Sequence, residues 1–299
     1  MNKIPVGATI AYAYGFTFGH LGVIIGLIWL PTVLSAVGSF FAQTFYYQDL
    51  LVAQTEGRSV AAGPGLASLL AWMIVAVLLG AIANVAVLQQ AMGKRKGSPY
   101  YHFALGAEEF RVFGAQIALY ATIIFLLLGM LIACTGLFET AAAGGSAAAL
   151  AGPALLLAVI AGGVFILFVY ARLGFLLLPA TLIEEKIGLS RSWALTQGNF
   201  WRIVVIGLAC WGPLLLAVGI ARVVIIGPEL YPGAGGNPAD LASQFQMNAS
   251  QIGVMLAHMP ALIGLDLLVA PLLVGLTIAP ALFAYRSLRP ELTGSEHPF

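Results

Sequence analysis

Six long runs almost free of charged residues constrain this chain more than any other feature. Four of them cover Leu21 to Phe41, Leu66 to Met92, Val112 to Phe138 and Gly152 to Pro179. A fifth begins at Ile203 and is interrupted at Arg222; a sixth, from Ile252 to Tyr285, is interrupted at Asp266. A bilayer core about 30 Å thick is crossed by about 20 apolar residues in a helix. Within lipid a helix satisfies every backbone polar group inside its own segment. The pattern therefore predicts an all-α polytopic membrane protein with six transmembrane helices. Only 8% of the 299 residues are charged, against about 25% in an ordinary soluble domain, so a water-facing surface cannot be built from this chain. A net charge of +1 gives no concentrated basic surface for a nucleic acid partner.

The cations set an orientation. Threading six spans puts Lys3, Lys94, Arg95, Lys96, Arg111, Arg172, Lys186, Arg191, Arg202, Arg286 and Arg289 on one side, and Arg58 and Arg222 toward the other. By the positive-inside rule both termini are expected in the cytoplasm. The opening segment lacks a compact apolar core followed by a small-residue cleavage site and reads as retained. The outer connections, roughly 43–65, 139–151 and 228–251, are rich in Gly, Ala and Pro, and 141–152 is low in complexity. The chain, 1–299, reads as one membrane domain.

The connector RSWALTQGNFWR, 191–202, is more aromatic than an ordinary loop. Trp193, Gln197 and Phe200 fall at helical spacing. Ser190 suits the start of a short helix, Gly198 its end, and Asn199 the cap of the fifth span. This predicts a helix over 189–198 lying along the cytoplasmic interface, with Trp193 and Trp201 at headgroup level and Arg191 and Arg202 reaching lipid phosphates. Tyr12 and Phe103 precede Trp193 at near-equal intervals, each before an odd-numbered span. The chain then divides into three repeats, 1–97, 98–186 and 187–299, each an interfacial helix followed by a two-span hairpin. Such repeats would be related by an axis along the membrane normal.

The run RLGFLLLPATLIEEKIGLSRSWALTQGNFWR, 172–202, carries Arg172 late in a span, Pro179, the acidic Glu184-Glu185, and the Ser192-Trp193 to Asn199-Phe200 segment. In these elements it resembles the membrane domain fused to some bacterial glycerophosphoryl diester phosphodiesterases, which also occurs in stand-alone form. The resemblance implies a bacterial inner (plasma) membrane location and a membrane-lipid setting. It implies no phosphodiesterase activity, because the fused catalytic domain with its paired carboxylates and histidines is missing from this chain.

Ionisable groups inside spans are costly and mark function by default. Arg222 lies 20 residues after Arg202, and Asp266 lies 20 before Arg286. At 1.5 Å per residue both fall about 30 Å from the cytoplasmic side. Equal depth on consecutive helices predicts an Arg222–Asp266 ion pair, either a staple of the last hairpin or a polar site for a headgroup or proton. Arg172 snorkels to phosphates, pairs with Glu184 or Glu185, or holds a lipid headgroup. Asn199, Trp201 and Arg202 complete the interfacial set. Gly22 and Gly26 form a GxxxG pattern. The Lys94-Arg95-Lys96 run is a topology determinant. Cys134 and Cys210 lie within apolar runs and read as buried small hydrophobes. His20, His102, His258 and His297 are scattered, without metal-ligand spacing, and no nucleophile elbow, P-loop or Rossmann fingerprint is present. No metal or cofactor is expected, and no row of polar residues stands out along any one span. The sequence therefore points to a non-enzymatic membrane protein of lipid or envelope homeostasis. It would handle lipids or scaffold lipid enzymes, with lipids and other membrane proteins as partners. A secondary transporter of a small solute is the alternative, and an intramembrane enzyme ranks third.

Overall fold

A computed structural model describes residues 3–56, 63–95, 101–142, 146–227 and 241–289. Arg58, Lys96 and His297, named above, lie outside them. Among the described residues every regular element is a helix: α1 (Val6–Gly19), α2 (Leu21–Glu56), α3 (Pro64–Ala91), α4 (Ala107–Ala142), α5 (Ser146–Gly174), α6 (Leu177–Ile183), α7 (Leu189–Leu195), α8 (Phe200–Ile226) and α9 (Leu241–Leu288). Six of these, α2 to α5, α8 and α9, are long and apolar enough to cross a membrane. Only 6% of the most apolar window of α4 and 11% of that of α5 is buried. Phe125, Ile132, Leu216 and Leu268 are largely exposed on the protein's surface. A helix apolar all round is stable only where its surroundings are apolar. The molecule is a multi-pass membrane protein.

The spans overrun the expected loops. α2 continues to Glu56, α4 to Ala142, and α5 starts at Ser146, within the low-complexity stretch. Ala, Leu and Gln in these stretches are strong helix formers, and α5 runs through Pro153. α3 starts where Pro64 fixes the first turn.

Contacts divide the chain into two compact units. One comprises 1–12, 106–207 and 280–299, the other 13–105 and 208–279. These boundaries do not follow the repeat limits near 97 and 186. In the second unit α2 and α3 form a hairpin with three interlocking features. Trp72 lies on Gly38, where a Cβ would fall inside the indole ring, and its Nε1 donates to Ser39 Oγ at 3.0 Å. The buried Asp49 carboxylate accepts from the Gly65 N–H at 3.0 Å, supplying from α2 the N-terminal cap that Gly63 cannot give α3. Toward its C-terminal end α3 is buried all round, from Ala81 to Leu88 apart from the half-buried Asn84. A Cβ at Gly22, by contrast, would meet open space, so Gly22 makes no close helix contact.

In the first unit Ala115, Leu119 and Leu177 form a buried cluster, with Ile123, Leu173 and Leu189 packed against it. Tyr12 packs on Phe283 with ring centroids 5.1 Å apart. The start of α4 is fixed by Glu109, whose Oε2 accepts from Gly106 N–H at 2.9 Å, one half of a capping box. That cap places Phe103 in a non-helical segment, 101–105, so the surface helix expected around Phe103 is not formed there. Helix initiation follows the local cap rather than the repeat interval.

The elbow between α6 and α7 is held by backbone proximity. Gly188 N–H donates to Thr181 Oγ1 at 3.1 Å. A Cβ added at Gly188 would lie 2.8 Å from both Ala180 Cβ and Thr181 N, and neither can swing away. Gly188→Ala should therefore destabilise the detergent-solubilised protein by about 1–3 kcal/mol, the usual cost of overpacking, read as a lowered thermal midpoint. An unchanged midpoint would mean that the elbow opens freely.

Candidate functional site

The connector 189–202 is shorter in helix than expected. α7 ends at Leu195, its N-cap is Gly188 rather than Ser190, and no side chain caps it. Gly198 takes φ +75°, the left-handed turn expected of it. Ser192 Oγ donates to the Arg172 carbonyl at 2.9 Å, which ties α7 to the end of α5, and the single Thr196 hydroxyl hydrogen has its shortest acceptor in the Ser192 carbonyl at 2.7 Å.

Arg172 does not pair with Glu184 or Glu185. Its Nη2 donates to the Trp193 carbonyl at 2.6 Å, and its guanidinium lies 4.1 Å from the Trp193 ring centroid and 5.6 Å from that of Phe168. A planar cation stacked on indole gains from the ring quadrupole. Phe168 also meets Phe200 at 5.1 Å, and Phe200 meets Trp201 at 5.0 Å. Trp193 is 37% exposed and Trp201 75% exposed, so both present an aromatic surface outward, as membrane-interface residues do.

The other polar members of the expected headgroup set serve the protein itself. Asn199 stands at the start of α8, where its backbone carbonyl accepts from Ile203 N–H at 3.0 Å. Its Oδ1 accepts from Ile4 N–H at 3.1 Å, while Arg202 Nη1 donates to the Ile4 carbonyl at 2.7 Å. The two residues clamp the segment before α1. Arg191 Nε donates to Glu184 Oε1 at 2.7 Å. That oxygen also accepts from Tyr285 Oη at 2.8 Å and from Arg289 Nη1 at 2.9 Å. Burial pushes the Glu184 carboxyl upward, but the hydrogen bonds from Tyr285 and Arg191 and the charges of Arg191 and Arg289 outweigh it, and it titrates below the ordinary glutamate range. Glu185, at φ +55°, approaches Arg111 at 4.0 Å.

In the second unit the expected ion pair is formed: Arg222 Nη2 donates to Asp266 Oδ1 at 2.6 Å. The two side chains are 49% and 54% exposed, so the pair is open on one side rather than sealed in a core. Two hollows meet at Asp266. One, about 450 Å³, is apolar apart from the ion pair, with Leu215, Val218, Leu273 and Val274 among its walls. The other, about 250 Å³, is lined by Thr32, Ser35, Ser39 and Gln43 of α2 together with Asp266. These four recur at intervals of 3, 4 and 4 residues, so they share one face of α2. This is the polar row that the sequence reading missed. Its signal was present in the spacing, diluted by Leu, Val and Phe on the other faces of the same span.

Among the described residues no cluster of three or more histidines, cysteines or carboxylates could hold a metal ion. Comparison with protein-family models, curated proteins and solved structures finds no match to this chain.

Proposed function

We propose that this chain is a non-enzymatic protein of the bacterial inner membrane that handles membrane lipids, with both termini in the cytoplasm. The observation that carries the reading is the Arg222–Asp266 pair, half open at the end of an apolar groove of about 450 Å³. A hollow that is greasy along its length and charged at one end has the polarity profile of an amphiphile, and its volume falls in the range of small-molecule sites. The outward tryptophans at 193 and 201 and the likeness of 172–202 to the phosphodiesterase-associated membrane domain support the same setting. The excess of cations on one side of the threaded chain supports the orientation.

A secondary transporter of a small polar solute is the second reading, favoured by the hydroxyl-lined hollow on the other flank of Asp266. Reconstitution separates the two. In liposomes carrying a fluorescent phospholipid, the lipid-handling reading expects inter-leaflet exchange, followed by dithionite quenching, well above that of empty vesicles, or stable co-purification of phospholipid. Exchange equal to empty vesicles together with no retained phospholipid would reject it.

A further inference from the structure

The two hollows that meet at Asp266 narrow the lipid class, an inference that rests on the lipid-handling reading above. Arg222 lines only the apolar groove, whereas Asp266 lines both it and the polar hollow. A guanidinium offers five N–H donors in a rigid fork that matches phosphate, and one of its nitrogens, Nη2, serves Asp266. The polar hollow presents Asp266 carboxylate, the Thr32, Ser35 and Ser39 hydroxyls and the Gln43 amide. Thr32 Oγ1 spends its hydrogen on the Ile28 carbonyl at 2.6 Å and is left as an acceptor, while Ser39 Oγ, which accepts the Trp72 indole N–H, keeps one further lone pair. The hollow is thus rich in acceptors beside a negative charge, and takes a small N–H cation better than an anion.

We propose that Arg222, Asp266 and the polar face of α2 bind the headgroup of a zwitterionic aminophospholipid. Its phosphate sits on Arg222, its ammonium enters the hollow between Asp266 and Ser35, Ser39 and Gln43, and its chains lie along the groove walled by Leu215, Val218 and Leu273. Charge is matched site by site: +1 and −1 on the protein meet −1 and +1 on the ligand, so no net charge is left in a low-dielectric region. An anionic phospholipid leaves Asp266 facing more negative charge. A trimethylated headgroup keeps the phosphate contact but has no N–H for the carboxylate and the hydroxyls.

The test is native mass spectrometry of the full chain in detergent, titrated with phosphatidylethanolamine, phosphatidylcholine and phosphatidylglycerol of identical acyl chains. The wild type should retain phosphatidylethanolamine about fivefold or more over the other two, the order expected of a charge-assisted hydrogen bond. Asp266→Asn should erase the preference. If that variant does not accumulate, Ser35→Ala combined with Gln43→Leu, which leaves the ion pair intact, should still reduce the preference at least twofold. Equal retention of all three lipids by the wild type, or an unchanged preference in the variants, would overturn the headgroup assignment while leaving lipid handling in place. Retention of none of the three above an unrelated six-span protein, together with inter-leaflet exchange equal to that of empty vesicles, would instead remove the lipid-handling reading on which it rests.

Discussion

Asp266→Leu alone should sharply reduce the amount and thermal midpoint of the folded protein, and Arg222→Leu alone should do the same. The double variant Arg222→Leu/Asp266→Leu should recover most of the loss. Each single change strands a charge on a membrane-spanning helix, which translocon-type scales put at about 2.5–3.5 kcal/mol near the middle of a bilayer. Both residues fall near the outer boundary rather than the middle, where a stranded side chain can snorkel to the interface, so about 2 kcal/mol is the expected loss in a midpoint assay. Removing both charges removes the cost of burying either, and apolar replacements for ion pairs are often neutral. The double variant also separates the two roles the sequence left open. If the pair only joins α8 to α9, restored stability should bring restored lipid retention with it. If the pair is the polar end of a lipid site, the double variant should be stable and retain little lipid. Equal loss in the double variant and in the singles would mean that Arg222 and Asp266 act through different neighbours.

That pair was legible because the information lay on two helices with one counting rule: equal distances from Arg202 and Arg286 along straight helices. The spans were legible for a similar reason, since length and freedom from charge are properties of one segment. Partnerships across the chain were not. Asn199 has the composition of a helix cap, and nothing local announces that its Oδ1 accepts from Ile4, 195 residues away. Arg172 was assigned to lipid or to Glu184. The indole that takes its guanidinium lies 21 residues on, and reaches it only once α7 has folded back on α5. Phe103 matched Trp193 in position, but Gly106 and Glu109 set the helix start locally. The polar row of α2 failed for a different reason. Its periodicity is plain once Thr32, Ser35, Ser39 and Gln43 are taken together, yet each is a small side chain inside an otherwise apolar span.

Glu184 gathers three donors on one carboxylate oxygen, and its replacement should show the largest effect in the first unit. Glu184→Ala leaves Arg191, Arg289 and the fully buried Tyr285 without their shared acceptor. Charge-assisted hydrogen bonds contribute roughly 1.5–3 kcal/mol each, but Arg191 and Arg289 are partly exposed and keep access to water. A total loss of about 2–3 kcal/mol is therefore expected, with Glu184→Gln intermediate because its amide oxygen still accepts. The pH dependence follows from the lowered carboxyl. A folded-state value below the unfolded one, near about 4.3 for glutamate, means that stabilisation is complete above the unfolded value and fades as pH falls through the folded one. Thermal midpoints of the wild type should decline across that acidic window, and Glu184→Gln should show a smaller decline over the same range because position 184 no longer titrates. Parallel acid limbs for the two proteins would show that Glu184 gains nothing from Arg191, Arg289 and Tyr285, and that the junction of α6, α7 and the end of α9 is held by packing alone.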